Sequence, residues 1–357
     1  MSDFKLLKEI TQLNGIAANE VRIRQYLYKK FVEIVGSDNI SYDGLGSIIA
    51  KKVGDVNGPK IMLAGHMDEI GMIVTKITPE GFIKFQPIGG WTNGVLLAQQ
   101  FTITTSDGKE YIAVMGSTPP HLLTEEQRKK PVEITDMYMD LGVKDKKEVE
   151  QLNIKIGDMI TPLIETTRMA NKKYLLGKAW DDRVGCAIIV EVIKRLQDEK
   201  HPNIVYGVGT TQEEVGCRGA KTSANHIKPD IGIALDVTIA RDLPDTPMDL
   251  KMGDGPSLLV YDSSLVGHVG LRKEIVKICD EMKLPYQLDY LRRGGTDASS
   301  IALSSGGVPS MAICIPTRYI HSHTSIIHED DYENTINLIV ELIKKFDNVL
   351  VNKIKYE

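Results

Sequence analysis

Apolar residues recur at helical spacing near the start of the chain: Phe4, Leu7, Ile10 and Leu13, then Val21, Ile23, Leu27, Phe31 and Ile34. The spacing predicts helices over 3–15 and 19–35 with a turn at Gly15. Two β-rich runs follow at 47–52 and 60–64, the second a buried strand ending at Gly65-His66-Met67-Asp68. From about 70 to 165 the texture changes to short alternating segments (72–77, 81–86, 100–105, 111–115) among Gly, Pro, Thr and charged turns. This predicts a β-rich insert, within which the polar stretch 124–133 reads as a loop or a short helix. Beyond 175, helices over 181–196, 218–226, 270–282 and 296–303 alternate with strands over 205–211, 231–236 and 308–315, before a long amphipathic closing helix over 331–350. Such alternation predicts an α/β sheet with helices on both faces. Its domain would be discontinuous, 1–69 with 165–357, and would carry 70–164 as the insert.

Composition narrows the function classes. The 357 residues are 42% hydrophobic and 25% charged, ordinary values for a globular protein with a full core. Lys and Arg number 43 against 48 Asp and Glu, giving a net charge of −5 with no basic stretch, which speaks against nucleic-acid binding. Cys186, Cys217, Cys279 and Cys314 are scattered without a C-x-x-C pair and read as reduced thiols. No apolar run approaches a membrane span and no targeting segment is visible in MSDFKLLKEI, so the expected location is the cytoplasm.

The candidate chemistry sits at the ends of apolar runs, where α/β sheets place their sites. His66 and Asp68 project to one side of an extended strand end, either as metal ligands or as a turn with a solvated imidazole. Asp181 and Asp182 open a helix; capping accounts for one of them, and the second invites a metal. Glu213 and Glu214 follow a buried strand between Gly residues, so that one could bind a metal while the other faces the space above it. Asp236 ends the run Ile231 to Leu235, and Arg318-Tyr319-Ile320-His321-Ser322-His323 follows the strand ending at Ile315. Carboxylates and imidazoles without Cys suit a catalytic site for Zn²⁺, Co²⁺ or Mn²⁺. Two neighbouring ions would need a shared carboxylate and terminal ligands on each side.

The order and spelling of these clusters resemble the tetrahedral aminopeptidases, also called glutamyl or deblocking aminopeptidases, family forty-two of the metallopeptidases, some of whose members are labelled endoglucanases. The resemblance runs the whole length, through AGHMDEIG (64–71), GKAWDDRVG (177–185), TTQEEVGCRGA (210–220), ALDV (234–237), RGGTDAS (293–299) and PTRYIHS (316–322). It implies a metallopeptidase catalytic domain with a mixed central sheet flanked by helices, and a β-rich lid and dimerisation insert. It further implies two divalent ions per subunit, Zn²⁺ first and Co²⁺ or Mn²⁺ as alternatives. His66 and Asp236 would hold one ion, Glu214 and His321 the other, and Asp181 would bridge them. Glu213 would be the general base, and Asp68 would fix the ring and tautomer of His66. Gly295, Thr296 and Asp297 would contribute to the substrate pocket. His321 matches the family's Tyr-x-His-Ser, leaving His323 as a pocket, supporting or exposed residue. His121, His201, His226, His268 and His328 are given no role. The implied function is removal of N-terminal residues from short peptides, with neither nucleic acid nor membrane as partner, by a homo-oligomer built from dimers into a tetrahedral dodecamer. A related amide deacylase or carboxypeptidase, or an endoglucanase-type glycoside hydrolase, is the alternative. The side-chain preference stays open: Arg293 and Arg318 lie near the site loops, as pocket cations or as structural residues.

Overall fold

The computed structural model describes residues 4–356. An eight-stranded sheet runs in the order 40–42, 48–53, 204–210, 60–66, 231–239, 310–317, 257–261, 287–290. Its four middle strands, Ile204–Thr210, Lys60–His66, Ile231–Ile239 and Ser310–Thr317, are mutually parallel, with Thr210 beside His66 and Asp236 beside Cys314. Antiparallel pairings flank them, so the sheet is mixed. Side chains alternate across it. Ile61 and Leu63 join a core covered by the helices Phe4–Gln12, Val21–Val35, Trp180–Arg195, Val269–Met282 and Glu329–Lys345. Met62 and Ala64 face the opposite core, under Arg218–Ile227 and Asp297–Ala302. Glycine is required where the helix Trp180–Arg195 meets the sheet: a Cβ on Gly65 would lie 2.7 Å from the Gly185 carbonyl carbon, and one on Gly185 would lie 2.3 Å from the Leu235 oxygen.

Six strands between Gly71 and Pro162 close into a barrel with its own core around Phe101, Ile103, Met139 and Ile160. Closure depends on two short strands that the alternation had not signalled, Tyr138–Asp140 and Met159–Pro162. The stretch 124–133 contains one helical turn, Glu125–Arg128, set by a capping box between Thr124 and Gln127. A separate three-stranded sheet pairs Tyr174–Gly177 with Ser325–His328, Gly177 opposite Ser325. That pairing brings the chain just before Asp181 against the chain just after His321.

The closing helix differs from the pattern's single element. It stops at Lys345, Phe346 turns into the core, and Asp347 accepts the Leu350 N–H to start a second helix, Asn348–Lys355. Apolar periodicity survives such a break because both helices pack on the same core, whereas the cap decides it locally. Among the described residues, no helix is long and apolar enough to cross a membrane.

Candidate metal centre

The carboxyl ends of the parallel strands open into a cavity of about 930 Å³ lined by His66, Asp181, Glu213, Glu214, Asp236 and His321 on one side. His66 ends its strand, buried, and Asp236 sits in the neighbouring one. The second and third residues of the helix Trp180–Arg195 are not helical: Asp181 has φ −80° and ψ 103°, Asp182 φ −122° and ψ 44°, after Ala179 in the left-handed region. This irregular start splits the work of the Asp pair. Asp182 turns inward and accepts the backbone N–H groups of His66 and Gly185 at 2.9 and 3.0 Å. Asp181 turns to the cavity and faces two imidazoles at once, its Oδ1 2.9 Å from His66 Nε2 and its Oδ2 3.2 Å from His321 Nε2.

Glu213 and Glu214 diverge. Glu214 Oε1 lies 3.5 Å from His321 Nε2, and Glu213 Oε2 lies 3.9 Å from His66 Nε2. The turn that carries them hangs on Asp68, whose carboxylate accepts the N–H of Glu213 at 3.0 Å and of Glu214 at 3.1 Å. Asp68 also approaches the His66 ring, its expected partner. The Nδ1 of His66 meets the backbone carbonyl of Asp68 at 2.9 Å, while the carboxylate oxygen is 3.7 Å away. The main chain thus orients the ring, and the side chain holds the glutamates.

Electrostatics follow from packing five carboxylates (Asp181, Asp182, Glu213, Glu214, Asp236) around two imidazoles. Burial alone would depress His66, but its bond to Asp181 and the charges of Glu213, Asp181 and Asp182 raise it well above its usual range. His321, likewise opposed by burial, is raised to about 9 by Asp181 and Glu214. Burial and neighbouring carboxylates push Glu214 and Asp236 well up, and Glu213 to about 7. Asp181 is held far below the carboxylate range, its burial outweighed by His321 and His66. Glu214 Oε1 is buried without a hydrogen-bond partner. Divalent cations would answer all of this, neutralising the excess of carboxylates and giving the orphaned oxygen a partner. Around His66, ligand atoms come within 4.8 Å of one another in two groups, His66 with Asp182 and Asp236, and His66 with Asp181 and Glu214.

Of the pocket residues, Gly295 and Thr296 line the far side of the cavity, whereas Asp297 lies buried behind it and accepts the Thr210 hydroxyl. Arg318 is engaged by Asp242 through two bonds of 2.8 and 2.6 Å, while Arg293 lines the cavity. His323 is buried away from the acidic cluster, with Nε2 donating to the Gln100 carbonyl and its ring edge-on to Phe101 of the barrel. His328 caps the Glu329–Lys345 helix. Sequence reasoning missed the barrel's share of the site: Gly89 and Gly90 approach so closely that a Cβ would stand 2.8 Å from Glu214 Oε2 and 2.9 Å from His321 Nδ1. The Gly-Gly pair was the available signal. It also missed Cys217, whose Sγ donates to Glu213 Oε1 at 3.1 Å.

The chain as a whole is similar to known proteins. A TET aminopeptidase from the marine sediment archaeon Thaumarchaeota archaeon SCGC AB-539-E09 superposes with a TM-score of 0.95 at 38% identity, over 98% of this chain and 99% of that one. The TET1 peptidase of Pyrococcus horikoshii, described as assembling into a tetrahedron or a large octahedral shell, gives 0.86 at 31% identity over 96% and 100%. The glutamyl aminopeptidase of Lactococcus lactis subsp. cremoris (strain MG1363) is 35% identical over 358 residues, 99% of each chain. The family model described as M42 glutamyl aminopeptidase matches residues 46–338. The chain belongs to this M42 family of metal-dependent aminopeptidases, hydrolases of peptide bonds.

Proposed function

We propose that the protein removes N-terminal residues from short peptides with two divalent ions, Zn²⁺ foremost and Co²⁺ or Mn²⁺ as alternatives. His66 and Asp236 would hold one ion, Glu214 and His321 the other, and Asp181 would bridge. The observation that carries this reading is the placement of the two Asp181 oxygens, each against a different imidazole, at 2.9 and 3.2 Å. Bound there, divalent ions supply Lewis-acid polarisation of the scissile carbonyl and an activated water.

The chain's own residues do the rest. Glu213 Oε2 faces the His66 side of the cavity and is the atom that takes a proton from the attacking water and returns it to the leaving amine. Burial, together with Asp297 and Asp181, brings this carboxyl to about 7, suited to a base working near neutral pH. Asp68 keeps both glutamates at their stations. Gly295 and Thr296 form part of the wall that receives the N-terminal side chain. The barrel, which brings Gly89 and Gly90 to the site, serves as lid and dimerisation domain, and exposed Ile112 and Val114 on one of its strands fit a contact between copies. We take the assembly to be a homo-oligomer, a tetrahedral dodecamer built from dimers.

The test is hydrolysis of a panel of aminoacyl p-nitroanilides by chelated enzyme, before and after Zn²⁺, Co²⁺ or Mn²⁺ is added, with an N-acetylated control. Metal-restored cleavage of free-amine substrates alone is the expected result. Cleavage of the acetylated control would replace this reading with an amide deacylase.

A further inference from the structure

Glu213 has two oxygens with different surroundings. Oε2 looks toward His66, whereas Oε1 looks away from it, toward Cys217 Sγ at 3.1 Å. Beyond them stands Asp297, 2% exposed, whose Oδ2 is taken by the Thr210 hydroxyl and whose Oδ1 is buried with no hydrogen-bond partner. One oxygen each from Glu213 and Asp297 and the sulfur of Cys217 lie within 4.8 Å of one another. Tetrahedral coordination with Zn–O near 2.0 Å and Zn–S near 2.3 Å requires ligand separations of about 3.3–3.5 Å, reached by small side-chain movements. Cys217 and Glu213 both line the open cavity, so an ion and a completing water can enter.

We propose that Glu213 Oε1, Cys217 Sγ and Asp297 form a third cation site, separate from the dinuclear centre and selective for thiophilic ions such as Zn²⁺ and Cd²⁺, whose occupation withdraws Glu213 from catalysis. The thiol loses its proton to solvent as the metal–sulfur bond forms, with no change of oxidation state. Hard ions such as Mn²⁺ and Mg²⁺ gain little from a thiolate and leave the site empty. Excess zinc is therefore an inhibitor of the enzyme that zinc activates. The inhibitory part rests on Glu213 being the base, as proposed above.

The experiment titrates the Mn²⁺-loaded full-length enzyme with Cd²⁺, following cadmium–thiolate charge-transfer absorption, bound metal per subunit and peptide turnover together. Expected are one thiolate-bound cadmium per subunit, a fall in turnover of at least tenfold in step with it, and loss of the absorption in Cys217→Leu. Cys217→Ser, which keeps the size of the side chain, loses it too and covers the case in which the leucine variant misfolds. Absence of the absorption, or its persistence in Cys217→Ser, overturns the site. Absorption that depends on Cys217 with undiminished turnover supports the site and overturns instead the assignment of Glu213 as base.

Discussion

Replacing Asp68 with asparagine tests whether the glutamate turn is held by the carboxylate beneath it. Asp68 is fully buried, and its two oxygens accept the N–H groups of Glu213 and Glu214 at 3.0 and 3.1 Å. Asparagine keeps one carbonyl oxygen and presents an NH₂ to the other donor. One charge-assisted bond becomes a neutral one, a loss of about 1 kcal/mol, and the second N–H is left buried and unpaired, at about 1–3 kcal/mol more. The total of about 2–4 kcal/mol falls on the turn that aims both glutamates. If the transition state feels all of it, kcat drops by roughly 30- to 1,000-fold, at about 1.4 kcal/mol per decade. The assay is kcat and KM on an aminoacyl p-nitroanilide at saturating metal, with bound metal measured on the same samples. A kcat within threefold of wild type would refute the clamp.

Three further outcomes are expected. Glu213→Gln should lose about 10²- to 10⁴-fold in kcat while keeping its metal, because a base is removed and no ligand is; unchanged turnover takes Glu213 out of the mechanism. Asp181→Ala should lose both ions by metal analysis, and two ions retained would sink the bridge. His323 is lowered to about 4 by burial, against an unfolded value of about 6.5, so its contribution is complete above 6.5 and is lost as pH falls through 4. Wild type should therefore lose about 2 kcal/mol more than His323→Gln between pH 7 and pH 5 in urea unfolding; parallel losses would show that this ring does not titrate on unfolding.

The parts of the molecule that could be read from its sequence are those where a local pattern has a single physical solution. A buried apolar run interrupted by His66 or Asp236 marks both a strand and the edge of a sheet where polar chemistry can sit. Other features depend on partners far away in sequence. Nothing local distinguishes Asp181 from Asp182, because their separation is made by the irregular start of the helix and by the N–H of His66, 116 residues earlier. The role of Asp68 depends on the turn it supports, 145 residues later. The break at Asp347 escaped the pattern, because the apolar stripe continues through it onto the same core while the cap that starts the second helix acts only locally.

The order of the parallel strands carries a consequence for how the chain folds. The strand Lys60–His66 is threaded between Ile204–Thr210 and Ile231–Ile239, so the middle of the sheet forms only after segments far apart in the chain have met. Pairings of this kind close long loops before any contact rewards them, which makes folding slow. The residues around the centre come from five such segments and converge only in the finished sheet, so a cation bound as proposed would find its full set of partners at the end. It then stabilises the native state and not the transition state leading to it. Added metal should accordingly leave the refolding rate of the chain nearly unchanged and slow its unfolding, so that the enzyme's lifetime, more than its rate of formation, is set by the ions it holds.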